Sequence, residues 1–249
     1  MTINIRKNKK MSTNQLVVLS PSKPLLSLNI QKVNDVFCGF SEGDFAVIQG
    51  SATSVTSLLC VRGQLPHQLG GLNSKVLFID GGNTFDVYQI AQLAQAHHLN
   101  PKQVLDNIYI SRAFTAYQVT TLIMQKLKTT IKKSGAKLVI ISDLAGFFLD
   151  TDLPDYEAER VFSQVLTYLS NFAKENKIVL VTTYLPHKSN RSNSILHNLA
   201  VAKANVVLSL TQTKYTRAFC IEKHPYLKLG SVELPSKHTT LIDFIGESA

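Results

Sequence analysis

"FAVIQGSATSVTSLL" (45–59) joins an unbroken apolar run to a small-residue loop and then to a second apolar stretch. Phe45-Ala46-Val47-Ile48 does not alternate with polar residues, which suits a strand buried on both faces. Gly50 supplies a turn, and the residues from Ser51 onward open a helix whose apolar body starts at Leu58. A strand, a glycine turn and a helix N-terminus together place backbone amides where a phosphate can sit. This loop nevertheless has no lysine and no second glycine.

The same strand grammar recurs along the chain. "KVLFID" (75–80), "NIYIS" (107–111), "KLVIIS" (137–142), "KIVLVTT" (177–183) and "NVVLSL" (205–210) are short apolar runs suited to parallel strands. Between them lie stretches of helical period over 86–98, 115–133 and 155–174. Asn100-Pro101 reads as an N-cap followed by proline at the first helical position. After residue 210 the pattern shifts to "TRAFCIEKH", "GSVELP" and "TTLIDFI", short antiparallel strands with no helix between them. The predicted fold is α/β: a mostly parallel sheet, helices on both faces, and a C-terminal antiparallel β-meander.

Composition bounds the class of function. Of 249 residues 45% are hydrophobic and 17% charged, as in a globular protein with a substantial core. Residues 1–24 form a basic arm and linker, and residues 25–249 form the core domain. The formal charge of +9 points to nucleic acid or an anionic surface, the plain alternative being a basic protein without such a partner. Cys38, Cys60 and Cys220 are widely spaced, which argues against a zinc ribbon or disulfide framework and for a reducing, cytoplasmic setting. The apolar run Leu16–Leu19 is too short for a secretory signal, which needs roughly 7–15 such residues. No run approaches the roughly 18 apolar residues of a membrane span.

Several segments resemble the RecA/RadA recombinase superfamily. They are "GFSEGDFAVIQG" (39–50), "CVRGQLPHQLGGLNSKVLFIDGGNTF" (60–85), "VLDNIYISRAFTAYQ" (104–118), "KLVIISD" (137–143) and "VLVTT" (179–183), in the family's order and at compatible spacing. The resemblance spans about residues 36 to 235. It is closest in type to archaeal RadA paralogues without an N-terminal helical DNA-binding domain. It implies a RecA-like fold and work in homologous recombination or DNA repair.

Set on the family's GxxxxGK[ST] phosphate loop, the frame is Gly50-Ser51-Ala52-Thr53-Ser54-Val55-Thr56-Ser57. Gly50 and Ser57 match. Val55 replaces a glycine, and Thr56 replaces the lysine that neutralises the phosphates. Losing one charge-assisted contact costs about 1.5–3 kcal/mol. The loop's Ser and Thr hydroxyls are expected to satisfy the amides a phosphate would engage. The Mg²⁺-associated carboxylate position holds Ser142, with Asp143 one place later; a bulge in that strand would restore Asp143 to the site. The position of the water-activating glutamate holds Gly82, and glycine is no base. Thr183-Tyr184 stands where the family has an amide pair, and Lys223 lies near its acidic cap over a neighbouring nucleotide. The resemblance, altered at so many points, implies a pseudo-ATPase: no cofactor is expected, and at most weak binding of ATP and Mg²⁺.

Two family loops hold DNA. The first corresponds to "LDTDLPDYEAER" (149–160), whose Asp150, Asp152, Asp155, Glu157 and Glu159 oppose phosphate and read better as an acidic turn and helix start. The second corresponds to "YLPHKSNRSNSILHN" (184–198), in which His187, Lys188 and Arg191 suit phosphate contacts and Tyr184 suits stacking on a base. A plain polar loop is the competing reading. Arg6, Lys7, Lys9 and Lys10 of the arm would hold nucleic acid loosely, and Lys126, Lys128, Lys132 and Lys133 line one helix end. His97 and His98 read as surface histidines, while Phe114 and Tyr117 read as core.

The function expected is a non-catalytic accessory protein of recombination or repair. Its partners would be single- or double-stranded DNA, a RadA-type recombinase or another paralogue, and not a membrane. The arm carries no FxxA-type tether, so a homodimer or heterodimer fits better than self-polymerisation. A divergent active ATPase, DNA-dependent or of the KaiC-like signalling kind, is one alternative. It would need Lys223 of a neighbour as cation and Asp80 or Asp143 as base. A protein-interaction module without DNA contact is the other.

Overall fold

The computed structural model describes residues 25–149, 153–212 and 217–234. A small ribbon pairs β1 (Leu25–Leu26) with β2 (Phe40–Ser41), and the short α1 (Gln31–Asn34) lies between them in sequence. The main sheet contains β3 (Phe45–Gly50), β4 (Val76–Asp80), β5 (Ile108–Arg112), β6 (Leu138–Ser142), β7 (Val179–Tyr184), β8 (Val206–Gln212), β9 (Arg217–Lys223) and β10 (Gly230–Leu234). Their order across the sheet is β10-β9-β8-β3-β7-β6-β4-β5. The six strands from β8 to β5 are parallel, and β9 and β10 run antiparallel. This is the layout the sequence pattern predicts. The "TTLIDFI" strand and the arm with Arg6, Lys7, Lys9 and Lys10 lie outside the described residues.

Burial on both faces explains why the parallel strands read as continuous apolar runs. In β3, Phe45 and Val47 join one core, while Ala46 and Ile48 join the other. The first core is covered by α5 (Ala116–Thr121), a π-helical segment (Leu122–Lys126), α6 (Leu127–Ser134), α7 (Asp155–Asn176) and α8 (Arg191–Lys203). The second is covered by α1, α2 (Thr53–Arg62), α3 (Val87–Ala96) and α4 (Pro101–Asp106). Asn100 caps α4 as expected, its side chain accepting from the amides of Lys102 and Gln103.

Three expectations are corrected. The segment 184–198 is not all loop: its second half is the start of α8, capped by Asn190, whose side chain accepts from Asn193 N. Only Leu196 and Ala200 of that helix are fully buried, so its apolar stripe is too narrow to announce itself in the sequence. Phe114 and Tyr117 are not core; they are 77% and 65% exposed, Phe114 in the connection after the edge strand β5 and Tyr117 in the first turn of α5, whose buried residues are Ala116 and Val119. His97 is half-buried rather than on the surface. Burial first, then the charges of Arg62 and His98, lower its pKa to about 4.

Helix α2 is buried over almost its whole length, Arg62 included. That guanidinium has carbonyl partners, donating to Ser27 O and, at 2.6 Å, to Leu69 O. It thereby ties the β1 segment to the turn after α2, and burial lowers its pKa to about 10. The exit from β3 is equally constrained. Gly50 has φ +89°, and a Cβ there would stand 2.2 Å from the Leu210 carbonyl oxygen of β8. Backbone strain costs about 1–3 kcal/mol, and overpacking adds about 1–3 kcal/mol. Gly50→Ala is therefore expected to lower unfolding free energy in urea by about 3 kcal/mol or more. Gly135→Ala has positive φ but open space around it, and is expected to lose only about 1 kcal/mol.

Candidate functional site

The strand order places a crevice beside β3. The helix after β3, α2, lies against one core, while the helix after the adjacent β7, α8, lies against the other. The two connections leave in opposite directions, which opens the carboxyl end of the sheet where α/β proteins bind ligands. The candidate phosphate loop, Asp143 and the loop after β7 all meet at that end.

The phosphate-loop frame makes a strand-to-helix turn in which Ser51 is exposed, Thr53 and Ser54 are half-buried, and Thr56 and Ser57 are buried. Ala52 stands at the helix N-cap, and no side chain among the described residues caps α2. Thr56, only 1% exposed, donates to the Thr53 carbonyl at 2.9 Å within its own helix. Ser54 Oγ accepts from Gln89 Nε2 at 3.2 Å, and Val55 and Ser57 are buried. The expectation that these hydroxyls satisfy the loop amides is thus corrected: Thr56 and Ser54 are engaged elsewhere. The first-turn amides of α2 keep their weak preference for an anion, but no cation from the loop stands beside them.

The neighbouring strand ends form a hydrogen-bond network. Ser142, fully buried, donates to Asp80 Oδ1 at 3.0 Å and accepts from the amides of Gly81 and Gly82 at 3.0 and 3.3 Å. Asp80 Oδ1 also accepts from Thr84 N at 2.9 Å. Its other oxygen is buried without a hydrogen bond among the described residues and faces the half-exposed Arg112 at 3.4 Å. Gly82 lies against Asp143, Thr84 and Leu185, and a Cβ there would meet all three at 3.0–3.2 Å. A longer side chain at that position would have to displace them.

Asp143 is not carried into the site by a bulge. Strand β6 stays in register with β4 through Ser142 opposite Asp80, and Asp143 follows the strand at φ +47°. Its amide donates to Thr183 Oγ1 at 2.9 Å. Its carboxylate Oδ1 lies 2.7 Å from His187 Nε2, which pins the loop after β7 to the end of β6. Lys223 is also committed within its own chain, donating to the Val201 and Ala202 carbonyls near the end of α8.

Of the expected DNA-binding residues, Lys188 and Arg191 are exposed on either side of the α8 cap. His187 is half-buried against Asp143. Tyr184 is not a free stacking platform: it is 7% exposed, and its hydroxyl donates to Asn193 Oδ1 at 2.6 Å. Burial, and secondarily the Asp143 carboxylate, push its phenol well above the ordinary range. Lys132 and Lys133 end α6 at the amino end of β6, so they sit at the opposite end of the sheet from Lys188. Asp155 and Glu157 lie in the first turn of α7, as a helix start favours. Sequence reading missed Asn193 and His197, which pack on Tyr184; their i, i+4 spacing is a usable signal only once α8 is known to begin at Arg191.

A family model described as Rad51 matches residues 43–204. The chain is 30% identical over 122 residues to the DNA repair and recombination protein RadA of Cenarchaeum symbiosum, covering 49% of this chain and 28% of that one. It is 33% identical over 104 residues to the protein of the same name from Aeropyrum pernix, covering 42% and 32%. The matched stretches thus span under a third of the length of these relatives.

Ser142→Ala is expected to cost about 1–3 kcal/mol, because two amides and Asp80 lose a buried partner. Ser142→Asp, which restores the residue that the resemblance places there, is expected to destabilise as well. It sets a second carboxylate against Asp80, and like charges at hydrogen-bond distance cannot both ionise easily. Urea denaturation at neutral and mildly acidic pH checks this, the Ser142→Asp deficit shrinking as one carboxyl takes up a proton.

Proposed function

The chain belongs to the Rad51 family, and we propose that it is a member without ATP turnover, an accessory protein of DNA recombination and repair that holds DNA, a recombinase, or both. One observation carries the reading. The Ser142 hydroxyl joins Asp80 to the Gly81 and Gly82 amides, filling with internal hydrogen bonds the place where the resemblance puts a Mg²⁺-associated carboxylate. Both candidate replacement bases are already partnered, Asp80 by Ser142 and Thr84, and Asp143 by His187. Lys223, the candidate replacement cation, caps α8 in its own chain. The residues present therefore fit Mg²⁺·ATP poorly, and the bare helix N-terminus of α2 leaves at most weak anion binding.

DNA contact is assigned to Lys188 and Arg191, exposed beside the loop after β7, with the arm residues Arg6, Lys7, Lys9 and Lys10 adding attraction that has no sequence preference. Either single- or double-stranded DNA fits such contacts. Exposed Phe114, Tyr117 and Tyr156 offer a separate apolar surface for a RadA-type recombinase, another paralogue or a second copy of this chain. Among the described residues no helix is long and apolar enough to cross a membrane; the proposed cytoplasmic setting rests on the odd number and wide spacing of the three cysteines.

Titration with Mg²⁺·ATP up to millimolar concentration is expected to give no saturable heat, whereas single-stranded DNA binds and weakens steeply with salt. Lys188→Ala with Arg191→Ala is expected to lower that salt slope by about 1–2. Tight nucleotide binding would overturn the first half of the proposal. A slope unchanged by the double variant would remove the loop after β7 from the DNA surface.

A further inference from the structure

A cavity of about 520 Å³ opens between the carboxyl ends of β3 and β7 and the first turns of α8. Its volume falls within the roughly 300–1,000 Å³ of small-ligand pockets. None of its lining residues is a Lys, Arg, Asp or Glu. A phosphate would find no ammonium or guanidinium inside, and a cation no carboxylate among the lining residues. Two imidazoles line it, and Tyr184 holds both edge to face: His187 at 6.0 Å between ring centroids and His197 at 5.2 Å. The Asp143 carboxylate fixes His187 from behind. Gln49 and Asn198 contribute amides to the wall. Gln49 Nε2 is buried without a hydrogen-bond partner among the described residues. A buried amide donor in that state calls for an acceptor, since leaving it unpaired costs about 1–3 kcal/mol.

We propose that this cavity takes a single unstacked nucleobase from a nucleic-acid strand whose phosphates run over Lys188 and Arg191. The inference rests on the DNA reading above and names the part of the strand that the site recognises. The occupant must be neutral, planar and rich in hydrogen-bonding edges, because the walls are imidazole rings and amides. Unstacked bases are recognised in this way, stacked on aromatic or imidazole side chains and hydrogen-bonded along their edges. The charges stand outside: Lys188 and Arg191 are exposed and adjoin the lining residues in sequence. Phosphates over the rim and a base in the cavity is the arrangement that this separation of charged and neutral groups matches.

The test compares a fluorescent single-stranded oligonucleotide with one of equal length and charge in which abasic sites replace the bases. Base stacking contributes about 1–3 kcal/mol per base, so the full-length protein is expected to bind the base-bearing strand about tenfold tighter. His197→Ala removes one wall, and Ser194→Phe fills the cavity from an exposed position while leaving the wall groups in place; both are expected to bring the two affinities within about twofold. Equal affinity of the unaltered protein for the two strands overturns the inference and leaves the DNA reading intact. A preference retained in Ser194→Phe overturns it too, by placing base recognition elsewhere. Binding to neither strand overturns the DNA reading itself.

Discussion

Strand β3 is the constraint from which the rest follows. It has a parallel neighbour on each side and a core against each face, so neither its register nor its twist is free. Its last residue passes so close to the Leu210 carbonyl that only glycine fits. That fixes where the chain leaves the sheet and where α2 begins. Because α2 and α8 then depart to opposite faces, the connections diverge beyond the paired carboxyl ends of β3 and β7, and the crevice at that end is a consequence of topology.

What lines the crevice differs from what its place in the sheet suggests. The groups at the strand ends bond to one another. Ser142 serves Asp80 and two amides, Thr183 serves the Asp143 amide, and His187 serves the Asp143 carboxylate. Apart from the Asp80 oxygen that faces Arg112, these groups find their partners within the chain, and buried polar groups so bonded rigidify what they join. Rigidity suits a scaffold that presents surfaces. Turnover would ask Asp80 or Asp143 to leave partners whose loss would cost stability.

The fold was legible because its strongest signals are local. Apolar runs such as Leu138–Ile141 can be buried only on both faces, and Asn100-Pro101 marks a helix start by its own chemistry. The departures Val55, Thr56, Ser142 and Gly82 were legible as residues. What they do was not: nothing local says that Thr56 turns onto Thr53, or that Ser142 reaches across to Asp80. Phe114 and Tyr117 misled because a large aromatic is usually core, whereas here Phe114 sits in the connection after the outermost strand and α5 buries Ala116 and Val119 instead of Tyr117. Asn193 and His197 were hidden because α8 has a weak apolar stripe and starts within a run of Ser and Asn that reads as loop.

The central claim is that this Rad51-family chain works without hydrolysing ATP. Steady-state ATP hydrolysis with saturating single-stranded DNA tests it most directly, with Asp143→Ala measured in parallel. The account predicts phosphate release at the same background rate for both proteins, with or without DNA. DNA-stimulated turnover that Asp143→Ala abolishes would contradict it.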